Sequence, residues 1–154
     1  MKANNDILLR SLKGNISNLL EVVQIKQNIM TLEEISNFEK LQTQLRSLHS
    51  EISALIKKSS NDALNKFKLK FVNQTISKVN DLLGKKHMPF NNFEQFDEND
   101  LPTNSDVTLM LGQYLNCMEK LRADNIRFGD FYWHWLGNEG ETDIRTAPPK
   151  KIKG

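Results

Sequence analysis

The 154-residue sequence predicts an all-α protein: an antiparallel bundle of about four long amphipathic helices, ending in a short aromatic hairpin or turn and a flexible basic tail. Three observations predict it. Apolar residues recur at alternating steps of three and four, the spacing of one helical face. Glycine and proline number only seven and four, too few for a turn-rich β fold. Charged residues make up 26% and hydrophobic ones 38%, the balance of long helices that each bury one stripe.

The first apolar series is Leu9, Leu12, Ile16, Leu19 and Val23, continued by Lys26 and Met30, and it predicts a helix over 6–29. Leu8, Leu20 and Val22 widen the stripe, while Gly14 weakens the helix by about 1 kcal/mol relative to alanine. Thr31-Leu32-Glu33-Glu34 then spells a capping box, with Met30 and Ile35 placed as its hydrophobic staple. A second helix follows over 32–58 through Phe38, Leu41, Leu45, Leu48, Ile52 and Leu55. Ser59-Ser60-Asn61-Asp62 stops it and offers caps to a third over 61–83, striped by Leu69, Val72, Ile76, Val79 and Leu83. Gly84 fits that helix's C-terminal cap. The short connections favour an up-down-up order.

Residues 84–105 read as a connecting loop, pinned to the bundle by Phe90, Phe93 and Phe96. Ser105 is the expected cap of a fourth helix over 106–123, with Val107, Leu111, Tyr114, Met118 and Leu121 on one face. From 126 to 136 the character changes to Phe128, Phe131, Tyr132, Trp133 and Trp135, and Gly137-Asn138-Glu139-Gly140 is a turn signal. A β-hairpin is the first expectation there, and a short helix from Asp130 the second. Residues 1–147 thus form one domain, and 148–154 a flexible basic tail.

Composition narrows the function. A net charge of +2 does not by itself imply nucleic acid, and one cysteine, Cys117, excludes an internal disulfide. No stretch approaches the roughly 18–20 apolar residues of a membrane span, and the N-terminus lacks a signal-peptide core, so a cytoplasmic chain with no membrane partner is expected. The acidic segment fails the calcium-loop test. Counted from Asp97, the glycine and glutamate positions hold Pro102 and Thr108. Cys117, His49, His87 and His134 stand at no zinc-ligand spacing, so neither metal nor cofactor nor small-molecule ligand is implied.

Charge segregates along the chain. Residues 57–86 carry eight lysines against Asp62 and Asp81, and residues 89–106 carry five acids and no base. Lys66, Lys68, Lys70 and Lys78, with Lys150 and Lys151 of the tail, form a candidate phosphate-backbone stripe. The acidic segment folding back over it is the plainer reading. Arg127 and His134 bracket six residues, a spacing that resembles the Arg-x4–6-His signature of HEPN-type ribonucleases. That resemblance implies metal-free RNA cleavage by a pair on one helix of an all-helical domain. The residues alone read as the rim of an aromatic hairpin.

Together these features favour a non-catalytic helical interaction or oligomerisation module, an accessory subunit or adaptor of coiled-coil type. Its partner would be a protein or a second copy of the chain. Phe128, Phe131, Tyr132, Trp133 and Trp135 are the candidate partner-binding residues, because aromatic side chains anchor interfaces. A nucleic-acid-associated accessory protein is the alternative.

Overall fold

The structure is a computed structural model that describes residues 2–27 and 30–151, with side chains for 7–19 and 30–151. Four helices form: α1 (Lys2–Gln27), α2 (Leu32–Ser59), α3 (Lys66–His87) and α4 (Asn104–Asp124). They are followed by β1 (Ile126–Gly129), β2 (Tyr132–Gly137) and β3 (Gly140–Thr146), an antiparallel meander in the order β1-β2-β3. The protein is therefore mostly helical with a small sheet, rather than all-α.

α2 begins where its capping box places it. Thr31 Oγ1 accepts from the Glu34 amide at 3.1 Å, and Glu34 Oε2 accepts from the Thr31 amide at 2.7 Å. Met30 and Ile35, the staple pair, are both buried in the core. α3 starts later than expected, because Asn65 is its cap, accepting from the Phe67 and Lys68 amides. Three of the four residues from Ser59 to Asp62 are otherwise engaged: the Ser60 and Asp62 carbonyls accept the Ser105 and Asn104 amides, and Asn104 Nδ2 donates to the Ser59 carbonyl. The start of α4 thus closes the end of α2, satisfying carbonyls that a helix terminus leaves unpaired. α4 itself is capped by Thr103 in a box with Asp106, two residues before the expected Ser105. Gly84 takes φ +61°, as a helix-ending glycine does, but one further turn follows to His87.

The core is built by α2, α3, α4 and the sheet, with Phe38, Leu45, Ile76, Leu111, Tyr114 and Trp135 at its centre. No described side chain of α1 takes part in it. Ile7, Leu8, Leu9, Leu12, Ile16 and Leu19 are all exposed, by 52 to 68%. The described core is accordingly one of three helices capped by a sheet. The side chains of Leu20, Val22, Val23 and Lys26, which extend the expected stripe, lie outside the described residues.

The connection after α3 is pinned as expected at Phe93 and Phe96, whose rings meet edge-on at 5.0 Å and pack against the core, whereas Phe90 is exposed. Asn73 adds a contact that mimics a strand bridge, donating to the Phe96 carbonyl at 2.9 Å and accepting its amide at 3.0 Å. Asn80 holds the Glu94 carbonyl and receives the Tyr114 hydroxyl at 2.7 Å.

Candidate functional site

The five aromatic residues of 128–135 separate by strand alternation, since successive side chains point to opposite faces. Trp135 faces the helices and is fully buried, its ring edge-on to Phe38 at 5.0 Å and its Nε1–H donating to Glu39 Oε1 at 2.9 Å. It fastens the sheet to α2 and is not available to a partner. Trp133 shares that face, is half-buried, and lies 5.7 Å from the ring of its cross-strand partner Phe128. Phe128, Phe131 and Tyr132 are exposed, Phe131 by 91%.

Phe131 sits at the tip of the β1–β2 hairpin. The pairing of Gly129 with Tyr132 leaves a two-residue loop in which Asp130 and Phe131 both have positive φ, 45° and 70°. Such a loop follows the twist of the strands, but its second position ordinarily takes glycine. A bulky residue there is strained. The most exposed aromatic ring of the described chain is therefore held out at a strained tip.

The opposite face of the sheet is polar. Arg127 lies directly across from His134, and His134 directly across from Arg145, so the three form one cross-strand row. The pair that resembles the ribonuclease signature is thus adjacent in space but on two strands, not on one helix as the resemblance implies. Arg145 stacks over the Tyr132 ring at 3.8 Å, and Glu141 Oε1 lies 3.9 Å from His134 Nε2. Arg145 and Glu141 escape a reading of the sequence because only the strand register brings them here.

The lysines do not form one stripe. Lys66, Lys70 and Lys78 are exposed and Lys68 is half-buried. Lys70 and Lys78 line a groove of about 960 Å³ whose other wall includes Asp97 and Glu98. The acidic segment therefore does fold back beside the lysines, as its charge predicts. Lys150 and Lys151 line a different groove, with Gln42, Arg46 and Asn116.

The tail is held for part of its length. Arg122 and Glu119, one turn apart on α4 and nearly fully buried, form a two-pronged ion pair at 2.6 and 3.1 Å. The remaining Arg122 donors reach Thr146 Oγ1 and the Ala147 and Pro148 carbonyls, and Glu119 accepts the Lys150 amide at 2.8 Å. The expected flexible tail is thus docked at least to Lys150, and 152–154 lie outside the described residues.

Among the described residues no His, Cys, Asp and Glu cluster has the arrangement of a metal site. His49 lies against Gly112, His87 Nδ1–H donates to the Leu83 carbonyl, and Cys117 is half-buried with its thiol pKa pushed up by that burial. A thiol so placed is a poor nucleophile. No helix among the described residues is long and apolar enough to cross a membrane. No protein-family model matches the chain, and no curated protein or solved structure is significantly similar to it.

Proposed function

We propose that the protein is a non-catalytic interaction module that self-associates through α1. The observation that carries the reading is the exposure of every described apolar side chain of α1, from Ile7 to Leu19. A helix in water draws most of its stability from burying one face, and short isolated helices are marginal. α1 spans 26 residues, contains Gly14, and its described apolar side chains, Ile7 to Leu19, are exposed. A surface that covers the stripe from Ile7 to Leu19 would come from another molecule.

The pattern of the stripe favours a second copy. Written as a heptad, Leu9, Ile16 and Val23 take the first apolar position and Leu12 and Leu19 the second. β-Branched Ile16 and Val23 at the former and Leu12 and Leu19 at the latter fit a parallel two-stranded coiled coil, from which Leu9 and Lys26 depart. Such a seam is self-complementary, because each knob meets holes made by the same residues on its partner. The core domains would then lie at the same end of the paired helices, each presenting Phe128, Phe131 and Tyr132 outward as a second, aromatic surface for a protein partner.

Light scattering after size exclusion tests the reading. The intact chain should elute as a dimer at roughly micromolar concentration, since a seam of this length gains little beyond the cost of association. Leu12→Glu with Ile16→Glu should return it to monomer without changing the melting temperature of the core. A monomer at all concentrations, or a dimer indifferent to this pair of substitutions, would refute it.

A further inference from the structure

We propose that the outer face of the sheet is a phosphate-binding site formed by Arg127, His134 and Arg145. The proposal is independent of self-association through α1.

The register sets the three side chains side by side on the face turned from the helices, with the two arginines on the outer strands and the histidine between them. Two strand spacings separate the arginine backbones by roughly 10 Å, so their guanidinium groups can converge above the central ring. Among the described residues no carboxylate lies within 4.0 Å of either guanidinium. Arg145 is held in place by its stack on Tyr132. His134 is only 9% exposed, and its Nδ1–H donates to the Thr142 carbonyl at 3.1 Å. Its Nε2 is buried with no hydrogen-bond partner.

This arrangement leaves two positive charges and a buried nitrogen uncompensated among the described residues. The two guanidinium groups have no carboxylate partner within ion-pair distance, and a buried nitrogen without a partner forfeits its hydration. A phosphate above His134 answers both conditions. It accepts from the two guanidinium groups and brings a hydrogen-bonding oxygen to Nε2, using oxygens that a planar carboxylate lacks.

Glu141 gives the site its character. Its carboxylate rests beside His134 Nε2 and over Gly129, where a Cβ would come within 2.6 Å of Oε1. The glycine leaves room for it. Glu141 is thus an internal anion in part of the space the phosphate takes, and an entering ligand displaces it. A carboxylate that merely stabilised the sheet would have no bearing on ligand affinity.

Calorimetric titration of the full chain with inorganic phosphate, adenosine monophosphate and a single-stranded RNA octamer tests this. At least one probe should bind saturably and shift the His134 ring signals in NMR spectra. Arg127→Gln and Arg145→Gln should each weaken binding about fivefold or more, as expected for a lost charge-assisted contact. Glu141→Gln should tighten it, and Lys68→Gln should leave it unchanged. Affinity for the octamer well above that for the mononucleotide identifies a polynucleotide as the source of the phosphate, and equal affinity identifies a small ligand. Absence of binding by all three probes, indifference to both arginine substitutions, or weaker binding in Glu141→Gln would overturn the proposal. Far-UV circular dichroism of each variant confirms that it folds.

Discussion

Trp135 and Phe131 lie four residues apart in one hairpin and do opposite work. The first is fully buried and bonded to Glu39, while the second is 91% exposed at φ +70°. Trp135→Ala should therefore destabilise the fold by about 3–5 kcal/mol, as emptying a large core site does. Phe131→Gly should instead raise stability by about 0.5–1 kcal/mol, because relief of left-handed strain exceeds the entropy that glycine adds to the unfolded chain. Urea unfolding measures both, and a clear loss of stability in Phe131→Gly would show that the ring is packed in solution. The sequence shows five aromatics in one segment without distinguishing these roles. Alternation along β2 decides them, and it is readable only once the strand is known to start at Tyr132. The row of Arg127, His134 and Arg145 is less legible still, because it joins residues of three strands.

At the level of elements, local chemistry was legible and competition between neighbours was not. The start of α2 follows from Thr31 and Glu34, which satisfy each other within one turn. The starts of α3 and α4 each offer more than one competent cap: Asn61, Asp62 and Asn65 for the former, Thr103 and Ser105 for the latter. Tertiary pairing makes the choice, through the Ala63–Thr103 bridge and the Leu64 amide on the Pro102 carbonyl. The tail clasp on α4 is of the same kind. Burial opposes the charge of Glu119, yet the hydrogen bonds from Arg122 and the Lys150 amide outweigh it and hold the carboxyl below its ordinary 4.5. A depressed carboxyl contributes stability above its unfolded pKa and loses it as pH falls through the folded one. Unfolding midpoints should therefore drop below pH 4.5, and Glu119→Gln should flatten that part of the profile. Arg122→Met leaves a buried carboxylate unpaired and should cost about 3–5 kcal/mol. Faster exchange of the Lys150 amide in that variant would report release of the tail.

For the whole molecule, periodicity foretold four helices, and the turn signal at Gly137 to Gly140 foretold the β2–β3 hairpin. β1 was hidden, because a four-residue strand gives too short an alternation to read and its turn lacks the usual glycine. Periodicity also cannot say which molecule covers a stripe. The series from Leu9 to Leu19 has the same spacing as the core faces of α2 and α3, yet it is left in solvent while theirs are buried. That difference makes α1 the centre of the functional account, and hydrogen exchange across α1 at rising protein concentration tests it most directly. Amides between Leu9 and Leu19 should exchange rapidly in dilute solution and become protected together as concentration enters the micromolar range, while the core amides of α2 stay unchanged. Protection of α1 that does not vary with concentration would contradict self-association through this helix.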